Sequence, residues 1–265
     1  MEFFLNLLRS VAYGIIEGVT EWLPISSTGH MILAEQVLKF SFSAEFMEMF
    51  RVVIQLGAIL AVVVLYFKKL WPFCADNGRD SGFSRHFRWP VVRLWCKIIV
   101  ACVPAAVLGL LLDDWLDAHL YNSITVALML IIYGIAFILI ERRPRVPTTT
   151  KLSRITYKQA IIVGAWQVLA LIPGTSRSGA TIIGGLLCGM SRACASQFTF
   201  FLAIPVMAGA SGLKLVKFLV GGGVFTVAEV GALLVGCIVA FVVSILAIRF
   251  LMDYVKKHTF TAFGW

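Results

Sequence analysis

Charge is scarce in this chain, and acidic charge scarcer still. Asp and Glu number 14 among 265 residues against 23 Lys and Arg, and the four types together reach only 14%. A soluble domain carries about 25% charged residues, so 60% hydrophobic residues and a mean hydropathy of +0.91 exclude a water-soluble fold. Alternation of apolar and polar residues is also lacking. The apolar runs are continuous, which excludes a transmembrane β-barrel. The six cysteines (Cys74, Cys96, Cys102, Cys188, Cys194, Cys237) form no C-x-x-C pair and lie mostly inside apolar runs, so buried free thiols are expected. No small-residue cleavage site follows the N-terminal stretch, and a cleavable signal peptide is not expected.

What is present is a series of apolar runs near or above the ~20 residues a spanning helix needs. The expected fold is an all-α integral membrane protein with one membrane domain over residues 1–265. The net charge of +9 does not point to nucleic acid, because twelve of the 23 basic residues lie in two loops. Lys68, Lys69, Arg79, Arg85, Arg88 and Arg93 sit in the first, with Asp76 and Asp80. Arg142, Arg143, Arg145, Lys151, Arg154 and Lys158 sit in the second. The positive-inside rule places both in the cytoplasm, with membrane lipids as the counter-charge. A short acidic turn at Asp113, Asp114 and Asp117 then falls outside.

Full crossings are expected at 46–67, 94–112, 121–141, 196–217 and 229–250. Two further apolar stretches are broken. Residues 2–13 read as an amphipathic lead-in, followed by a half-helix at 14–23, Pro24 and a second half-helix at 26–38. Half-helices of that length do not cross a ~30 Å core at about 1.5 Å per residue. They read as a re-entrant hairpin, as do 159–172 and 178–190 around Pro173-Gly174. A shift of 150 residues aligns Gly14 with Gly164, Glu17 with Gln167, Ser26 with Ser176 and Gly29 with Gly179. Two repeats, about 1–141 and about 151–265, are therefore expected. Three crossings separate the hairpins, so the repeats are inverted and the hairpin tips meet near the midplane. By the same symmetry, 121–141 has a counterpart that would begin near residue 260, so a last helix reads as missing.

The tips carry the chemistry. Glu17 and Glu21, four apart, share a helix face. Ser26, Ser27, Thr28 and His30 follow Pro24, and Ser176, Arg177, Ser178 and Thr181 follow Pro173-Gly174. Ionisable groups at this depth mark a site, and helix N-termini bind anions. Arg177 suits bidentate contact with phosphate; the alternative is a structural bridge from Arg177 to Glu17 or Glu21. Two carboxylates beside a phosphate need a divalent cation, and Glu17 with Glu21 are its expected ligands, with Mg²⁺ or Ca²⁺ as the ion. The nucleophile is Ser27, with His30 as proton acceptor, or a water activated by a glutamate or by His30. The Ser-Thr-Gly-His run echoes the acid-phosphatase-like lipid phosphatases. Those require a histidine where Ile183 stands, which excludes them.

At these blocks the chain resembles the bacterial undecaprenyl-diphosphatase family, also called bacitracin-resistance proteins. Glu17 and Glu21 match its E/Q-x-x-x-E motif. Pro24, Ser26, Ser27, Thr28, Gly29 and His30 match its serine-histidine region, and Pro173, Gly174, Ser176, Arg177, Ser178 and Thr181 match its P-G-x-S-R-S-x-x-T motif. The run VIQLGAILAVV at 53–63 is also similar. The resemblance implies hydrolysis of undecaprenyl diphosphate to the monophosphate in the bacterial inner membrane, recycling the carrier of cell-wall polymers, with a divalent metal and a site open to the periplasm. It implies that Ser26, Thr28, Gly174, Ser176, Arg177, Ser178 and Thr181 hold the diphosphate, and that Glu21, Ser27, His30 and Arg177 are catalytic. Family members usually have one more C-terminal helix, and a homodimer is compatible with that difference. They also tend to carry an acidic residue where Arg51 stands; Glu48, one turn earlier, either substitutes for it or pairs with Arg51. The rival from architecture alone is a polyprenyl-phosphate transporter or flippase.

Overall fold

The computed structural model describes residues 2–75, 82–120, 122–142 and 146–265. Of the loop charges named above, Asp76, Arg79, Asp80, Arg143 and Arg145 lie outside the described residues, as do the side chains of Asp113, Asp114 and Asp117. The described chain is helical throughout: α1 (Glu2–Thr20), α2 (Ser27–Val37), α3 (Ala44–Val53), α4 (Gln55–Leu65), α5 (Phe67–Leu70), α6 (Trp89–Leu120), α7 (Ser123–Glu141), α8 (Tyr157–Val168), α9 (Arg177–Leu187), α10 (Arg192–Val220), α11 (Val227–Lys257) and α12 (Thr261–Gly264). Among the described residues, five stretches are long and apolar enough to cross a membrane: Ala44–Leu65, Trp89–Leu112, Ser123–Glu141, Arg192–Val220 and Val227–Lys257. The fold is that of an all-α, multi-pass membrane protein.

Three boundaries differ from expectation. Residues 2–13 and 14–20 form one helix, α1, because nothing between them breaks it. Its buried residues Asn6, Ser10, Tyr13, Gly14, Glu17 and Thr20 recur every three or four positions, while Phe3, Phe4, Leu8 and Ile15 are exposed. That is a soluble amphipathic helix turned inside out: small and polar residues pack inward, apolar ones face lipid. Beyond Thr20 the chain turns at 21–25 before α2. The second difference is at 113–117, where no turn forms and α6 stays helical to Leu120.

The third is inside the 46–67 crossing, which is two helices meeting at Ile54. Neighbouring helices divert its backbone. The Ser211 hydroxyl of α10 donates to the Val52 carbonyl at 2.9 Å, and the Cys237 thiol of α11 donates to the Val53 carbonyl at 3.7 Å. Side chains inserted into the i→i−4 ladder are a recognised cause of such breaks. All six cysteines are free. Near residue 260, where a helix begins by the symmetry argument, the four-residue α12 packs against α7.

The packing exchanges elements between the halves. α1 lies along α11, α8 lies along α6, and α10 packs against α3 and α4. Glycine allows the close approach in both exchanged pairs. A Cβ at Gly14 would sit 2.7 Å from the Gly236 carbonyl oxygen, and one at Gly164 would sit 2.3 Å from that of Ala101. A single large core centres on Trp22, Ile182, Phe198, Phe200 and Phe201. A second, built on Tyr13, Phe46 and Phe50, closes the end where α1, α3 and α10 meet. The first core, through Trp22, Ala180 and Ile182, packs against both hairpin tips.

A Gly164→Ala substitution drives Cβ into the Ala101 backbone, which a rigid helix pair cannot relieve by rotamer change. The expected cost is about 1–3 kcal/mol, seen as a lower thermal midpoint in detergent. Gly209, with nothing within 4 Å of a Cβ, provides the control. Gly209→Ala should leave the midpoint unchanged or raise it, because alanine favours helix.

Candidate active site

The two tips are tied to each other by hydrogen bonds between residues more than 150 positions apart. Arg177, the first residue of α9, donates from Nη2 to Glu21 Oε1 at 2.7 Å. The Ser178 hydroxyl donates to the Leu23 carbonyl at 3.2 Å. Glu21 is otherwise occupied on its own side: Ser27 Oγ donates to Glu21 Oε2 at 2.6 Å. A continuous relay Ser27–Glu21–Arg177 thus crosses the join. Glu21 is 6% exposed and Arg177 14% in their side chains, so this bridge is largely withdrawn from solvent. In this state the structural pairing of Arg177 with Glu21 is realised.

Local backbone explains why these atoms meet. Ser26 adopts φ +65°, the only positive φ outside glycine among the described residues. Its Oγ caps α2 by accepting from the Gly29 amide at 3.3 Å. Non-glycine residues reach that region only when their surroundings impose it, and such strain gathers at functional sites. It turns the chain so that Ser27 faces back toward Glu21. On the second tip, Ser176 caps α9 by accepting from the Gly179 amide at 3.1 Å. Gly174, at φ +88°, makes the turn, and a Cβ there would lie 2.5 Å from the Val126 backbone.

Two expected roles are not reflected in the geometry. His30 does not reach Ser27: its Nδ1 bonds to the Ser26 carbonyl at 2.8 Å. Since a carbonyl only accepts, Nδ1 carries a proton, and in the neutral ring Nε2 is then the acceptor. Ser27 hands its hydrogen bond to Glu21 instead. Nor is the pairing of Glu48 with Arg51 found. Arg51 pairs with Glu35 of α2 at 2.5 Å, and Glu48 pairs with Lys214 of α10.

A cavity of about 580 Å³ opens beside the relay, lined by Glu17, Ser27, Thr28, Glu48, Arg51, Gln55 and Lys214 with the apolar Met31, Ile32 and Val52. Ser27 belongs to both the relay and the cavity. Gly174, Ser176, Arg177, Ser178 and Thr181 do not line it. Thr181 Oγ1 instead donates to the Arg177 carbonyl at 2.9 Å and accepts from Thr199 at 2.9 Å. These residues hold the second tip in place behind Glu21. Neither motif contains Gln55 or Lys214, which line the cavity, or Glu35, which pairs with Arg51. Lys214 carried a usable signal, a cation inside an otherwise apolar run.

Some polar atoms remain without partners. Both carboxylate oxygens of Glu17, Arg177 Nη1, Thr175 Oγ1 and both amide atoms of Gln167 are buried and unbonded. Buried polar atoms are rarely orphaned, and each exception asks for an explanation. Glu17 is 0% exposed, so when ionised it needs a counter-charge. Its orphaned oxygens fit a cation, and the free Arg177 N–H fits an anionic oxygen. Among the described residues no three His, Cys, Asp or Glu side chains converge on a metal-sized site. A cation held by Glu17 and Glu21 would draw its remaining ligands from a bound phosphate or water, as Mg²⁺ commonly does.

Cutting the Arg177–Glu21 bridge on one side leaves the other charge buried. Arg177→Met should lower stability by about 3–5 kcal/mol, while Arg177→Met with Glu21→Gln should recover much of the loss. A double-mutant cycle of thermal unfolding in detergent reads the coupling, and additive losses would show the two side chains to be independent.

The chain matches the family model described as bacitracin resistance protein BacA over residues 10–265. It is 59% identical over 264 residues to the undecaprenyl-diphosphatase of Enterococcus faecalis strain V583, covering 99% of this chain and 94% of that one. It is 53% identical over 265 residues to the undecaprenyl-diphosphatase of Streptococcus thermophilus, covering 99% and 90%. To that of Desulfitobacterium hafniense it is 56% identical over 266 residues, covering 98% and 91%. With the family model matched over residues 10–265 and these relatives 53–59% identical over nearly the whole chain, this chain belongs to the BacA bacitracin resistance family.

Proposed function

We propose that this chain is an undecaprenyl-diphosphate phosphatase, cleaving the phosphoanhydride of undecaprenyl diphosphate to give undecaprenyl phosphate and inorganic phosphate. The observation that carries this reading is Ser27, hydrogen-bonded to a buried carboxylate and exposed on the wall of the cavity. A carrier for an anion needs cations and amides; it has no use for a hydroxyl poised against a base. That contact favours hydrolysis over transport.

In this mechanism Ser27 Oγ attacks the terminal phosphorus as its proton passes to Glu21 Oε2, 2.6 Å away. The bond from phosphorus to the bridging oxygen breaks, and undecaprenyl phosphate leaves with that oxygen. Water then hydrolyses the phosphoserine, with His30 Nε2 as an available acceptor for its proton. Arg177 holds Glu21 in position, and its free Nη1 meets negative charge as it develops. Gly174, Ser176, Ser178 and Thr181 fix Arg177. Ser26 and Thr28 present the first-turn N–H groups of α2, which have no partners within the helix. Glu17, with Glu21, would hold a divalent cation such as Mg²⁺ or Ca²⁺; when bound it supplies Lewis-acid polarisation of a phosphoryl oxygen.

The isoprenoid tail belongs among lipid-facing apolar side chains such as Leu33 and Val37 of α2, which are 63% and 83% exposed. We place the chain in the bacterial plasma membrane with the cavity open to the outer, periplasmic side. Glu48 and Arg51 lie in the first half of the Ala44–Leu65 crossing, and Lys214 lies late in α10. The basic residues Lys68, Lys69, Arg88 and Arg142 lie beyond the opposite ends of the helices. That arrangement turns the cavity away from the positive side. The two-repeat organisation, about 1–141 and about 151–265, accounts for the exchanged helix pairs. A homodimer is compatible with these features.

Purified protein should release phosphate from a polyprenyl diphosphate, and Ser27→Ala should lower turnover at least about a thousandfold, as loss of a nucleophile does. Turnover by Ser27→Ala within tenfold of wild type would move the attack to water. His30→Ala should cost less than Ser27→Ala, because His30 does not touch the attacking hydroxyl.

A further inference from the structure

The cavity wall facing Ser27 carries two cations that the hydrolytic mechanism above does not use. Arg51 and Lys214 come from different helices, α3 and α10, and line the same cavity as Ser27 and Thr28. Each is paired with a carboxylate: Arg51 with Glu35 and Lys214 with Glu48. The partners are not equally placed. Arg51 and Lys214 side chains are each 24% exposed, whereas Glu35 is 40% and Glu48 57% exposed. Cations are therefore held at the wall while their carboxylates reach toward water. Exposed ion pairs are weak, and phosphate competes well for guanidinium and ammonium groups through charge-assisted bonds.

We propose that Arg51 and Lys214 form an anion subsite for the terminal phosphoryl group, opposite the α2 N-terminus, and retain inorganic phosphate after cleavage until it leaves to water. This rests on the hydrolase reading. In the resting protein Glu35 and Glu48 occupy the two cations and act as competing anions. When a phosphoryl group enters, the carboxylates swing to solvent and the cations transfer to phosphate oxygens. Phosphate then departs by the reverse exchange, so the subsite never holds a bare pair of positive charges. Arg51 offers planar bidentate contact and Lys214 a point charge. A dianionic oxyanion in this cavity would be met by these two cations and by the amides of Ser27 and Thr28. Glu17, Glu48, Gln55 and the apolar Met31, Ile32 and Val52 line the rest of the cavity.

The subsite and a merely structural pair of salt bridges predict opposite signs. If the pairs only brace the helices, removing either partner weakens the protein in the same direction. If the cations bind phosphate, Arg51→Ala and Lys214→Ala weaken binding, while Glu35→Gln and Glu48→Gln, which release the cations, strengthen it. The experiment measures phosphate release from a polyprenyl diphosphate in detergent, with inorganic phosphate as product inhibitor and thermal midpoints recorded for every variant. For Arg51→Ala and Lys214→Ala we expect KM and the phosphate inhibition constant to rise about tenfold each, with kcat within about threefold of wild type. Arg51→Lys should recover part of the loss. For Glu35→Gln and Glu48→Gln we expect the phosphate inhibition constant to fall.

Inhibition constants that do not move in the alanine variants, in protein that stays folded and active, overturn the subsite while leaving the hydrolase reading intact. A fall in affinity for all four variants overturns it too, in favour of bracing. Failure of the wild-type protein to release phosphate is a separate outcome and defeats the hydrolase reading on which the subsite rests.

Discussion

Burying a carboxylate among apolar helices is costly, and the centre of this structure is the way that cost is met. Glu21 is surrounded by donors: Ser27 on one oxygen at 2.6 Å and Arg177 on the other at 2.7 Å. Replacing either donor leaves a charge without its match, in a region where several kcal/mol attach to each unpaired ion. The bond therefore does two things at once. It locks the two hairpin tips together, and it holds the Ser27 hydroxyl against a buried carboxylate. Strain at Ser26 and the turn at Gly174 are tolerated because the tips must meet at this point.

The remaining helices serve that meeting. α1 rests on α11 and α8 on α6, each approach made possible by a glycine facing a backbone carbonyl. Each tip is thus cantilevered from the opposite half of the chain, and a shift in either half would be felt at the Glu21–Arg177 bond. The core around Trp22, whose ring stands edge-on to Phe200 at 5.2 Å, presses on the first tip directly behind Glu21. On the cavity side the structure is different in character. Single charges sit on helix faces there, each in close contact with a carboxylate that is itself open to water.

Much of the site was legible before any coordinates. Carboxylates, hydroxyls and an arginine at helix breaks inside apolar sequence are costly enough that their placement alone marks a working centre. The 150-residue offset brought the tips together on paper. Other features could not be read. That α1 runs unbroken from Glu2 depends on its inward stripe finding α11, a tertiary match with no local signature. The partner of Ser27 depended on Ser26 taking a positive φ, which no propensity for serine suggests; helical spacing instead pointed to His30, which bonds its own helix start. Likewise one-turn spacing joined Glu48 to Arg51, whereas neighbours on α2 and α10 lie nearer in space. Local periodicity predicts which residues share a face, and it is silent on which face meets which.

The central claim is that the orphaned atoms at the join, Arg177 Nη1 and the Glu17 oxygens, are completed by a diphosphate and its cation. An experimental structure with a non-hydrolysable methylene diphosphonate and Mg²⁺ tests it most directly. The account predicts a phosphonate oxygen within hydrogen-bond distance of Arg177 and a cation held at Glu17. A ligand bound elsewhere, with Arg177 Nη1 and Glu17 still lacking partners, would contradict it.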